Sequence, residues 1–259
     1  MERKIKNIVI LGSGNVATHL ALALISKGYN IEQIFSRNLQ NAQNLAHKVN
    51  ATYINNLNAL FPNADLYMLS VKDDALKKLV SASELRHKPM VHTAGSISSD
   101  IFKAYTQNFG VLYPFQTFSK ERSVDFNKVP ILVEASTDEF QASLTDLANA
   151  LSEKVINAGS KERSMLHISA VFACNFTNHM YAIAYDLAQK NNIPFDLLKP
   201  LIKETAEKVS DLAPRDAQTG PAVRFDQAIL EQHENFLQDV PELAELYKKI
   251  STSIQKFKA

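Results

Sequence analysis

A single cysteine, Cys174, among 259 residues leaves no partner for an intramolecular disulfide and no basis for a cysteine metal cluster. A reducing compartment is the expectation for such a chain. Charge of one sign is missing as well: 28 basic against 27 acidic side chains leave a formal net charge of +1, too small a field to hold a polyanion or an anionic membrane. Nucleic-acid binding is therefore disfavoured. Long apolar runs are also absent. After the charged opening MERKIKN, the apolar stretch Ile8 to Leu11 is broken by Gly12, too short for the apolar region of a signal peptide. Nothing approaches the roughly 18 residues of a membrane helix. Together these absences lead us to expect a soluble, cytoplasmic protein.

Hydrophobic residues make up 46% of the chain, enough for a sizeable core, and the length suggests two domains. The first part alternates short β-branched runs with longer helical patterns, the signature of β-α-β units and a mainly parallel, doubly wound sheet. The expected strands are Lys6 to Leu11, Ile31 to Ser36, Ala51 to Ile54, Asp65 to Ser70, Met90 to Thr93 and Gly110 to Tyr113. VPILVEA, a helix from about Thr137 to Leu151 and KVINA extend the sheet to Ala158. After Gly159 the strand-like alternation ends, and the pattern is helical to the C-terminus. This divides the chain into an α/β domain, residues 1–158, and an all-α domain, residues 159–259. The longest helix expected runs from Lys161 to Lys190 and is apolar around much of its middle. So apolar a helix needs cover on several sides. A second subunit is the expected supplier, which makes a homodimer through the C-terminal helices the anticipated assembly.

The chain has only seven glycines, and three of them fall between residues 8 and 30. There a strand leads into Gly12-Ser13-Gly14-Asn15-Val16-Ala17 and then into an amphipathic helix, which is the G-x-G-x-x-A dinucleotide fingerprint in the context it requires. Gly12 suits the tight turn, Gly14 a close approach of backbone to pyrophosphate, and Ala17 close packing of helix on strand. The helix N-terminus offers free N–H groups to phosphate. At the end of the second strand, where an NAD enzyme carries an acid for the ribose hydroxyls, stand Ser36, Arg37 and Asn38. Arg37 reads either as an ordinary loop arginine or as a ligand of a 2′-phosphate, and the missing acid makes NADP(H) the expected cofactor. No metal site is expected.

Three later strand ends line the crevice at the carboxyl edge of such a sheet: LSVKDD with Ser70 and Val71, VHTAGS with His92 and Thr93, and LYPFQTFS with Tyr113. His92 reads more simply as a buried strand-end histidine than as a catalytic one. On the long helix, at 100° per residue, His167, Asn175 and Asn178 fall at about 0°, 80° and 20°, with His179 at the margin near 120°. Such a polar stripe is either an interface of hydrogen bonds or the wall of an active cleft. In the second case His167 serves as general acid/base, Asn175 orients the substrate and Asn178 contributes to its site; histidine suits proton transfer near neutrality. In TGPAVRFD, Gly220 and Pro221 read as a helix start that sets Arg224 against the dipole, a cost that a bound anion or a surface ion pair would offset.

The combination of VILGSGNVATHLA, LSVKDDAL, VHTAGS, YPFQTFS, HISAVFACNFTNHM and TGPAVRFD resembles the Rossmann-like proteins whose C-terminal part is domain of unknown function 2520. That family is similar to pyrroline-5-carboxylate reductase and the deazaflavin-dependent NADP oxidoreductases. The resemblance covers nearly the whole chain and implies an NADP-binding domain followed by a helical dimerisation domain. It does not supply a substrate. The family commonly has His-Pro where this chain has Tyr113-Pro114, and Arg-Gly-Asp where it has Arg224-Phe225-Asp226. The proton-donating lysine of the related β-hydroxyacid dehydrogenases corresponds to Val171 and is missing. The expectation is an NADP-dependent oxidoreductase moving hydride to or from a small molecule with a C=O or C=N group, an anion if Arg224 serves the site. The alternative is a non-catalytic NADP(H)-binding protein that reports redox state.

Overall fold

The computed structural model describes residues 4–258; residues 1–3, which open the charged N-terminal stretch, and residue 259 lie outside the described part. Two compact units divide between Asn178 and His179.

The first unit is built on an eight-stranded sheet in the order β3-β2-β1-β4-β5-β6-β7-β8. Its strands are β1 (Asn7–Leu11), β2 (Asn30–Phe35), β3 (Thr52–Ile54), β4 (Leu66–Leu69), β5 (Met90–His92), β6 (Phe109–Pro114), β7 (Ile131–Ala135) and β8 (Val155–Asn157). Every pairing is parallel except that of β6 with β7. The link between those two carries only the short 3-10 turn Phe126–Lys128, and an antiparallel pair needs no helical crossover. Helices α1 (Asn15–Ser26), α2 (Leu39–Val49), α3 (Asp73–Leu79) and α4 (Asp138–Leu151) complete the unit's α/β part. On β1, Ile8 and Ile10 join a core that includes Leu20, Leu24, Leu45 and Leu144, whereas Val9 and Leu11 join the one around Leu76, Leu85 and Phe102. Burial on both faces is why these strands read as continuous aliphatic runs.

Beyond β8 the structure departs from an uninterrupted helix. Helix α5 (Ser160–Ala170) passes into the six-residue π segment Val171–Phe176 before α6 (Thr177–Lys190). The Thr177 hydroxyl donates to the Phe172 carbonyl, five residues back, at 3.1 Å. A π turn holds one residue more than an α turn, so residues beyond it lag the regular helix by about 100°. Asn175 thus moves from about 80° toward the line of His167, and Asn178 from about 20° to about −80°. The first compact unit extends past the last strand, to Asn178.

Among the described residues the second unit is helical, with α7 (Lys199–Asp211), α8 (Gln227–Phe236) and α9 (Pro241–Lys258) following the end of α6. His233 Nδ1 and the Tyr247 hydroxyl, 2.8 Å apart, join α8 to α9. The TGPAVRFD segment does not start an α-helix at Pro221. It forms the 3-10 turn Ala222–Arg224 and ends at Phe225, whose φ of 57° is left-handed; Asp226 then caps α8. Arg224 thus stands at the end of a short turn, and the dipole argument for an anion beside it falls away. No helix among the described residues is long and apolar enough to cross a membrane.

Candidate active site

The cleft grows from the first β-α turn. Gly12 has φ 135°, and a Cβ there would lie 2.0 Å from the Ser70 carbonyl oxygen, so only glycine allows β1 and β4 to converge at this point. Its N–H donates to the Phe35 carbonyl at 2.8 Å. Gly14, the residue before α1, offers no side-chain cap, and there is no acid in the helix's first turn. No atom lies within 4 Å of a Cβ built on Gly14. An uncapped helix start beneath open space fits a pyrophosphate. The segment after β6 lies over this turn: Asn15 Nδ2 donates to the Phe118 carbonyl at 2.7 Å and His19 Nε2 to that of Ser119 at 2.8 Å.

Together these elements enclose a cleft of about 880 Å³, within the range of small-molecule sites. At one end Ser36, Arg37 and Asn41 line it, and Ser13 Oγ donates to Ser36 Oγ at 3.0 Å. Asn38 is not a lining residue; its side-chain oxygen caps α2 by accepting the Asn41 N–H at 3.0 Å. In the middle stand Ser70, Val71 and Thr93, with Thr93 Oγ1 donating to Ser70 Oγ at 3.1 Å. Arg37, Lys72 and Lys120 supply positive charge to the walls, and Asp73 accepts a hydrogen bond from Ser96 at 2.9 Å.

At the other end the lining brings together Tyr113, His167 and Asn175. The Tyr113 hydroxyl is 3.0 Å from His167 Nδ1. Burial holds this hydroxyl above the usual tyrosine range, against the pull of the Arg163 charge, so it stays protonated and either donates to Nδ1 or accepts from it, according to the tautomer of the ring. Where the hydroxyl donates, Nδ1 is the acceptor and the ring's N–H is the one on Nε2. Both rings lean on Gly95, where a Cβ would meet His167 Nδ1 at 2.7 Å and Tyr113 Cζ at 2.8 Å. Asn178 is not among the lining residues, in keeping with the π segment, and Arg224 belongs to the helical unit, where it is exposed. His92 is fully buried, and its Nδ1 accepts the Ala94 N–H at 3.2 Å. Burial, then the Arg163 charge, push its pKa down to about 4, against the Ser98 backbone, Glu134 and Asp73. It is a neutral strand-end histidine.

Several features escaped the reading of the sequence. Gly95 and Asn41 are lining residues; scarcity made every glycine informative, whereas nothing local distinguished Asn41. Arg163 is fully buried, with an NH1 group paired to Glu134 and NH2 donating to the Ile97 carbonyl at 2.6 Å. Burial alone would raise the Glu134 carboxyl, but hydrogen bonds from Arg163, Ser99 and Ser160, with the Arg163 charge, bring it below the usual range.

The sheet order, the glycine turn and the cleft at the strands' carboxyl ends define a Rossmann-type dinucleotide-binding protein. Comparison with known proteins carries this further. Residues 7–95 match the family described as NADP oxidoreductase, coenzyme F420-dependent, and residues 129–254 match the domain of unknown function DUF2520. A Bacteroides fragilis protein assigned as an NADP oxidoreductase is 46% identical, with 98% of this chain and 99% of that one covered at a TM-score of 0.93. The chain belongs to the same family as this Bacteroides fragilis protein. An imine reductase from Myxococcus stipitatus, solved with NADP+, shares the fold at 16% identity and a TM-score of 0.69, covering 96% of this chain and 92% of its own. Glutamyl-tRNA reductase of Staphylococcus carnosus is 27% identical over 162 residues, 59% of this chain. That match spans about a third of the curated relative's length, 34%.

Proposed function

We propose that the cleft binds NADP(H) and that the protein transfers hydride between this cofactor and a small molecule with a C=O or C=N group. The observation that carries the reading is the presence, in one cleft, of an uncapped glycine turn at one end and a hydrogen-bonded Tyr113–His167 pair at the other. The nicotinamide, when bound, supplies or accepts the hydride. The chain's own residues bind, orient and manage a proton. Gly12 to Val16 hold the pyrophosphate against the start of α1, Ser36 and Arg37 meet the 2′-phosphate, and Ser70, Val71 and Thr93 flank the middle of the dinucleotide. His167 holds the transferable proton at Nε2, Tyr113 fixes that tautomer through Nδ1, and Asn175 orients the substrate.

A second copy of the chain covers the helix that carries His167. Met165, Ile168, Phe172 and Phe176 are 58%, 49%, 65% and 49% exposed on it, a concentration of large apolar side chains that marks an interface. Light scattering at micromolar concentration should give a dimer mass.

The test of the main reading is calorimetry with NADPH and NADH, followed by NADPH oxidation with a panel of imines and ketones and NADP+ reduction with alcohols. Tighter binding of NADPH and turnover with one substrate class are expected. Binding without turnover across the panel would favour a redox-reporting protein, and equal affinity for both cofactors would overturn the NADP assignment.

A further inference from the structure

Among the described residues, Arg163 with Glu134 is the ion pair whose cation is fully buried, and the reaction above does not use it. Glu134 lies on β7 opposite Val111 of β6, and Tyr113 lies opposite Leu132, so the β6–β7 register puts Glu134 and Tyr113 on the same face of the sheet. Arg163 and His167 are four residues apart on α5 and share one face of the helix. The helix therefore meets this strand pair twice, through Arg163 on Glu134 and through His167 on Tyr113. The guanidinium also reaches the segment that carries Gly95, because NH2 donates to the Ile97 carbonyl at 2.6 Å and to Ser160 Oγ at 3.2 Å. Glu134 in turn accepts from Ser99 at 2.7 Å and from Ser160 at 3.1 Å. One buried cation on the helix that supplies His167 thus reaches β7, the strand paired with the one that supplies Tyr113, and the segment of the glycine on which both rings rest.

We propose that Arg163, held by Glu134, is a positioning residue for proton transfer, setting the approach of His167 Nδ1 to the Tyr113 hydroxyl and so the tautomer that leaves the proton on Nε2. This rests on the functional reading above. A buried ion pair is a poor source of net stability, since desolvation offsets the attraction, so its persistence here calls for a geometric reason. The pair also leaves Arg163 Nε buried without a hydrogen-bond partner. Loss of that fixation should cost about 10²-fold in kcat, the usual penalty for a catalytic group displaced by about 1 Å.

The test uses Arg163→Lys and, because removing one partner of a buried pair can unfold a protein, the paired replacement Arg163→Met with Glu134→Gln. Nitrogen NMR of the His167 ring reads the tautomer without any turnover. The wild type should show a single Nε2–H form that becomes a mixture in the variants, while kcat falls by that order and NADPH affinity is kept. Folded variants with the wild-type tautomer, or with wild-type turnover per folded molecule, would overturn the proposal. Failure of the functional reading looks different: His167→Ala would then keep full turnover, even though the tautomer of His167 still responds to Arg163.

Discussion

Tyr113 on β6 and His167 on α5 meet through a 3.0 Å hydrogen bond, 54 residues apart in sequence. In the proposed mechanism the phenol donates, and the two side chains act as one proton-carrying unit. His167→Ala should lower kcat by about 10²- to 10⁴-fold, with NADPH affinity and melting temperature near those of the wild type. Tyr113→Phe should lose a smaller factor, since it leaves Nε2 in place and frees only the tautomer. The double variant should be no slower than His167→Ala alone, as expected for residues that function together. Additive losses in steady-state kinetics would show that the two side chains work separately.

Gly95 makes this pairing possible. With a Cβ 2.7 Å from His167 Nδ1 and 2.8 Å from Tyr113 Cζ, Gly95→Ala must push both rings apart or shift α5. The backbone there needs no positive φ, so the damage should be confined to the catalytic end. We expect kcat to fall about 10²-fold while NADPH binding, measured by calorimetry, remains near wild type. Weakened cofactor binding would instead mean that Gly95 lies under the dinucleotide.

The proposed function assigns the cofactor discrimination to Arg37. Beside Ser36 in the cleft wall, it can form a charged hydrogen bond to a 2′-phosphate. Arg37→Ala should weaken NADPH binding by about 10- to 100-fold and leave NADH binding almost unchanged. An equal loss for both cofactors would assign Arg37 to adenine stacking alone, and no loss would remove it from the site.

The α/β architecture was legible because each signal is local: β-branched runs of the right length, Gly12 between strand and helix, and the end of alternation after β8. The glycine-turn end of the cleft was marked by the same stretch. The Tyr113–His167 end of the cleft was legible in residue type but not in phase. VFACNF contains no glycine or proline to mark the π segment, so a regular helix put Asn178 in line with His167 where the structure favours Asn175. Nor could any window of sequence pair Arg163 with Glu134, since strand and helix meet only in the folded chain. Phe225 was visible as a departure from the glycine of the family this chain resembles; its left-handed φ of 57° is the physical reason that glycine suits the position.

His92 makes the fold sensitive to acid. In the folded chain its pKa is about 4 against 6.5 for the free side chain, so the unfolded state binds the proton first as the pH falls. The native state keeps its full advantage above about pH 6.5 and loses it progressively toward pH 4. By linkage the loss reaches roughly 2 kcal/mol at pH 5 and roughly 3 kcal/mol when the ring is charged in both states. Glu134 also sits below the usual carboxylate range, and its contribution is lost in the same direction but at lower pH, so measurements above pH 5 separate the two. His92→Asn keeps an acceptor for the Ala94 N–H without a titrating ring. Urea denaturation between pH 7 and pH 5 should show a smaller loss of stability for this variant than for the wild type. Parallel pH dependence of the two proteins would mean that His92 titrates alike in the folded and unfolded states and that the acid sensitivity arises elsewhere.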